Sequence, residues 1–157
     1  MTGAVIDGKG LLCNHSIDVS VLWISLKDVN NRSITSSIQK DFKIKETTEF
    51  RKKLEDNSSK FGLKYLLAIL NSKFANYFLN QVRRSQIGFY PDDLKKLPIK
   101  NIALSGQQIF IDLVDQILTL KKQNKEADTK NLEAQIDQLV YKLYGLTEDE
   151  IGIVEAS

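Results

Sequence analysis

A chain of 157 residues, 42% hydrophobic and 27% charged, can build one globular domain or a core with an appendage. No apolar run approaches the roughly 20 residues that cross a bilayer. The start MTGAVIDGKG lacks the basic and apolar regions of a secretory signal, and the single cysteine, Cys13, excludes an internal disulfide. These features lead to the expectation of a cytoplasmic protein that makes no membrane contact. The net charge is +2, but it is unevenly spread. Residues 60–101 hold eight basic and two acidic side chains, whereas residues 126–157 hold two basic and eight acidic ones. A basic middle and an acidic tail suit a polyanionic partner, and they also suit two solvated helix faces.

In chain order, GAVI, DGKG and LLCN (residues 3–14) read as a β-hairpin, because Asp-Gly and Lys-Gly supply positive φ between short apolar runs. VSVLWISL, from Val19 to Leu26, is β-branched and aromatic and predicts a strand buried on both faces. The polar stretch Lys27 to Lys45, rich in Asn and Ser, predicts a loop with room for one strand. TTEFRKKLEDNSS predicts a short helix capped by Thr47 or Thr48.

The second half reads as helical. Leu63, Leu66, Leu67, Leu70, Phe74, Tyr77 and Phe78 form one continuous face of a helix over 63–82. A second helix is expected to start at Leu104-Ser105, with Ser105 and Gln108 as a capping box and Leu104 and Ile109 as a hydrophobic staple. A third is expected from about Asp128, burying Leu132, Ile136, Leu139, Val140 and Leu143 and ending at Gly145. The apolar stripe changes phase across KQNKEADT, so these two helices are expected to form an antiparallel hairpin. Thr147 with Glu150, and Leu146 with Ile151, repeat the box and the staple for a short last helix.

No catalytic constellation is complete. PDDLKK, from Pro91 to Lys96, holds the Pro-Asp and Asp-x-Lys of metal-dependent nucleases. Both elements share Asp93, however, and such sites need carboxylates converging from separate strands. A helix start explains the stretch better: Pro91 pre-sets φ, while Asp92 and Asp93 complement the helix dipole. Cys13 and His15 are too few for a tetrahedral metal shell, and their spacing does not bring imidazole to thiol. Gly8-Lys9-Gly10 lacks the ending of a phosphate loop. The expectation is a binding module with no catalytic residue, no metal ligand and no cofactor of its own. Arg83, Arg84 and Gln86 carry the side chains that contact phosphates or read guanine and adenine. Lys73, Tyr90, Lys95, Lys96 and Lys100 could add backbone contacts. The residues alone leave open whether these touch DNA or simply solvate a helix end.

The order of four motifs adds a resemblance. LKYLLAILNSKFANYFL, IGFYPDDLKKLPIK, QQIFIDLVDQIL and LEAQIDQLVYKLYGLTEDEIGIVE together resemble the C-terminal target-recognition (Taq-type specificity) domain of type IIG restriction-modification adenine methyltransferases. The same order is similar to type I specificity subunits. The resemblance covers nearly the whole chain and is most specific from Leu63 to Glu155.

With the element pattern, it leads to the expectation of an α+β fold, a small mixed sheet followed by a helical half with an antiparallel hairpin. Residues 1–101 would be the target-recognition region, and 102–157 a helical hairpin plus a terminal helix. It implies sequence-specific recognition of double-stranded DNA, with Asn30, Asn31, Arg32, Lys73, Arg83, Arg84, Gln86, Tyr90, Lys95 and Lys96 as candidate contacts. A methyltransferase/endonuclease would be the partner, in cis or as a separate subunit, and the hairpin could also form a homodimer. S-adenosylmethionine and Mg2+ belong to that family's catalytic regions. Those regions are outside these residues, so the sequence is expected to be a fragment or split subunit without activity. The alternative expectation is a helical protein-interaction scaffold that does not read DNA.

Overall fold

The structure, a computed structural model, describes residues 21–44, 48–83 and 90–157. Among them the chain forms one 3-10 turn, eight α-helices and no strand, which overturns the α+β expectation. The expected hairpin over 3–14, the beginning of the Val19–Leu26 strand and the cap at Thr47 lie outside the described residues.

The remainder of that strand is a 3-10 turn, Trp23–Leu26. β-Branched and aromatic residues favour strands only where neighbouring strands receive them, and no strand is present among the described residues. Trp23 instead lies against the Arg51 guanidinium, 5.1 Å from its ring centroid. The polar stretch expected to be a loop contains helix α1, Arg32–Phe42. Asn31 starts it, its side-chain oxygen accepting from the Ile34 N–H at 2.9 Å, and Ile38 is fully buried on its inner face. One cap and one anchor thus outweigh weak intrinsic propensity. Lys43, in the left-handed region at φ 55°, ends α1.

Helix α2, Thr48–Ser58, forms as expected. Its buried Arg51 donates from Nη2 to the carbonyls of Leu26 and Val29 at 2.7 and 3.4 Å, and from Nε to Glu55 at 2.9 Å. Ser58 Oγ accepts from the Ile24 N–H at 2.7 Å. Phe42 and Phe50 meet edge to face between α1 and α2.

The expected continuous helix over 63–82 is two helices, α3 (Leu63–Asn71) and α4 (Lys73–Val82). Ser72 breaks it with extended backbone at ψ 154°. Its buried hydroxyl donates to Ile69 O at 2.7 Å and accepts from the Ala75 N–H at 3.2 Å. One side chain thereby serves the end of one helix and the start of the next. The break turns the face inward differently from the sequence stripe: Tyr65, Leu67, Ala68 and Ile69 are buried, while Leu63 is exposed.

After α5 (Pro91–Leu94) the chain reaches α6 (Leu104–Gln123), which packs on α3. The capping box expected at its start is absent: no side chain caps the helix, and Gln108 donates to Asp112 instead. Leu104 and Ile109 are 59% and 51% exposed, so they do not form a buried staple. Gln107 is the polar residue that matters here. Fully buried, it accepts from the Gly62 N–H at 2.8 Å and donates to Lys60 O and Ile102 O at 2.7 and 3.0 Å.

Helix α7 (Lys130–Tyr144) returns along α6 after residues 124–129, as the phase break predicts. Ile136 and Val140 are buried, and Leu132, Leu139 and Leu143 pack beside them. Gly145, at φ 72°, closes α7 with the paired bonds of a Schellman motif: Gly145 N–H to Lys142 O and Leu146 N–H to Tyr141 O. Helix α8 (Glu148–Glu155) begins with the expected Thr147–Glu150 capping box. The core gathers α3, α4, α6, α7 and Leu97, with Tyr65 and Phe110 edge to face at its centre. No helix among the described residues is long and apolar enough to cross a membrane.

Candidate nucleic-acid interface

The candidate DNA contacts fall in three places, while Arg84 and Gln86 lie outside the described residues. The first place is the C-terminal end of α4. Arg83 follows the last turn, its N–H donating to Leu79 O at 2.9 Å. The fully buried Asp93 ties this end to α5: its Oδ2 accepts from the Tyr90 N–H at 3.2 Å and its Oδ1 from Lys96 Nζ at 3.1 Å. Lys96 Nζ also donates to Val82 O at 3.1 Å, placing a cation at a helix C-terminus. Asp93 is therefore the polar knot of a helix start, as the helix-start reading of PDDLKK expects. Lys95 lies between Asp41 of α1 at 3.2 Å and Asp92 at 3.4 Å. The Tyr90 side chain stands in solvent beside them, 55% exposed. Arg83, Tyr90, Lys95 and Lys96 are thus brought together.

The second place is the opposite end of α4. Ten residues of helix at 1.5 Å each set Lys73 about 15 Å from Arg83. Lys73 Nζ is paired with Glu155 of α8, whose other carboxylate oxygen accepts from Tyr141 OH at 2.8 Å. The Lys73 N–H donates to the buried Asp137 carboxylate at 2.9 Å, so a residue of α7 satisfies the start of α4. Lys73 and its hydrogen bond hold the Glu155 carboxyl below its ordinary value, and Tyr141 adds to this. Burial pushes the Asp137 carboxyl and the Tyr141 hydroxyl up.

The third place is the start of α1, where Asn30, Asn31 and Arg32 are exposed. The Asn31 side chain is used as a helix cap. Asp41, which meets Lys95, is nine residues further along α1 than Arg32, a rise of about 14 Å. The described candidates therefore fall at three separate places along α1, α4 and α5.

Lys100 and two tyrosines have a role that no sequence pattern assigns. Lys100 Nζ donates to Leu143 O at 2.9 Å and lies 5.4 Å from the Tyr144 ring centroid. Tyr144 OH donates to Pro98 O at 2.6 Å, and Tyr65 OH donates to Lys100 O at 2.7 Å. Burial pushes the Tyr65 hydroxyl up to about 12. The segment LPIK is thus pinned between α3 and α7. These partners stand 35 to 46 residues apart in sequence, beyond the reach of any local pattern. Among the described residues, no group of three His, Cys, Asp or Glu side chains is arranged to hold a metal ion. Comparison of the chain with protein-family models, with curated proteins and with solved structures found no match.

Proposed function

We propose that the chain is a DNA-recognition module of a restriction-modification system, acting in the cytoplasm to direct an adenine methyltransferase/endonuclease to its site. The observation that carries this reading is the grouping of Arg83, Tyr90, Lys95 and Lys96 where α4 meets α5. Three cations and an exposed aromatic ring are the groups that grip phosphates and stack on or bond to nucleotides. The Lys95 ion pairs are open to water on both sides, and pairs of this kind are weak enough for a phosphate to compete. The order of the four sequence motifs supports the same reading. In it the bundle is the rigid support, α4 presents the basic end to the duplex, and the α6–α7 hairpin faces the catalytic partner or a second copy.

A scaffold without DNA reading is favoured by one specific observation. Lys73 and Lys100 are engaged within the bundle, while Ile109 is exposed beside Leu113 and Leu139 on the hairpin. Selection from randomised duplexes, followed by titration at several salt concentrations, separates the two. The DNA reading expects a preferred site and an affinity that falls with salt. The double variant Arg83→Ala with Arg84→Ala should then bind more weakly and with a shallower salt slope, by about 0.9 for each phosphate that is no longer neutralised. Unchanged affinity and slope would remove these arginines from the interface.

A further inference from the structure

We infer that α8 is a releasable strap: it opens as a unit while the rest of the bundle stays folded, and its hook is the Glu155 carboxylate held between Lys73 and Tyr141. Three observations carry this. First, α8 adds no residue to the apolar cluster that joins α3, α4, α6 and α7. Of its eight residues only Val154 is buried, and Ile153 is largely exposed. Second, among the described residues the two side-chain hydrogen bonds from α8 to other helices both end on Glu155. They reach α4 and α7 across 82 and 14 residues, so one carboxylate closes the strap onto two elements. Third, the junction before α8 is complete without it. The Gly145 turn satisfies the end of α7, and the Thr147–Glu150 box satisfies the start of α8 internally. Opening therefore strands few polar groups there.

Once detached, a helix of eight residues is too short to hold itself in water. Release should unravel it, free the Lys73 ammonium of its partner and uncover the Tyr141 hydroxyl. Segments with few buried apolar contacts are the ones that open below the global unfolding free energy.

Hydrogen exchange of the full chain, read by mass spectrometry, tests this. In the wild type the amides of 148–155 should exchange well ahead of those of 136–143. Glu155→Gln, which keeps the shape and removes the charge, should speed exchange over 148–155 by about 2- to 5-fold, the scale of a lost solvent-exposed ion pair. Residues 65–69 and 110–114 should be unchanged. Raising salt to about 1 M, where screening acts within about 3 Å, should reproduce the effect in the wild type and add little in the variant. Glu155→Ala, which also removes the acceptor for Tyr141, should exchange at least as fast. Exchange of 148–155 in step with 136–143 in the wild type overturns the strap. Unaltered exchange in both variants overturns the hook. Equal acceleration throughout the bundle overturns the independence of α8.

Discussion

The described residues within 21–58 and those within 63–157 both form helices, yet they are ordered by different means. In the first region Ile38 is the buried apolar residue among those described, and the turn before α1 is held mainly by Arg51, which reaches two carbonyls, a carboxylate and an indole, with Ser58 on the Ile24 N–H beside it. In the second, a dozen buried apolar residues share the load, and polar groups such as Gln107, Ser72 and Asp137 satisfy backbone ends around them. A distributed apolar interior loses a fraction of its stability with any one residue. A single cationic tie is closer to all or none for the turn it holds.

The largest expected effect tests the apolar side. Ile69 is fully buried in the cluster, so Ile69→Ala should cost about 2–5 kcal/mol, read as a lower urea midpoint of the helical signal. Next in size is Arg51→Met. It removes the bonds to Leu26, Val29 and Glu55 while keeping an apolar stem of similar length. The expected loss is about 1–3 kcal/mol, confined to residues 21–58. Trp23, the only tryptophan, lies on Arg51 and reports that region alone. Its emission should change in Arg51→Met with the bundle's urea midpoint unmoved, and should not change in native Ile69→Ala. If both signals shift together in both variants, the two regions are one cooperative unit and the contrast drawn above fails.

The part of the fold that the sequence made readable has the same division. Helices α7 and α8 were legible, because their end signals are local: Gly145 must take a positive φ, and Thr147 with Glu150 is a self-contained box, whereas α6 was legible by its apolar stripe and not by its expected cap. The break at Ser72 was hidden, since an apolar stripe passes across it without losing period. Its cause is a hydroxyl bonded to Ile69 and Ala75 inside the core. Helix α1 was hidden for the opposite reason: its Ser- and Thr-rich stretch looks like a loop until Asn31 is seen capping it and Ile38 is seen buried. The strand expected at Trp23 failed because β-branched and aromatic residues favour a strand only beside other strands; here Val21 and Ile24 are exposed and Trp23 lies on Arg51. In the candidate interface, the grouping of Tyr90, Lys95 and Lys96 was readable because they are neighbours in sequence. The diversion of Lys73 to Glu155, 82 residues away, was not, and it ties one predicted contact to the last helix.

The smallest expected effect sharpens the contrast inside the second region, where two carboxylates meet one lysine by different routes. Glu155 is partly exposed and paired, and Lys73 with Tyr141 holds its pKa below the ordinary 4.5. Its contribution to stability is therefore present above pH 4.5 and lost as pH falls through the lower folded value. Asp137 is buried on α7 and faces the Lys73 backbone, Glu155 and Glu133, and burial lifts its pKa above the ordinary 3.8. Its sign is the reverse: the contribution is fully present below 3.8 and lost as pH rises through the higher folded value. Acid should thus weaken the hook of α8 while easing the joint between α4 and α7, two effects of opposite sign. Carboxyl carbon shifts followed by NMR should give a midpoint below 4.5 for Glu155 and above 3.8 for Asp137. A Glu155 midpoint at or above its ordinary value would mean that Lys73 does not hold it in solution. Lys73 would then rejoin the cations available to a phosphate.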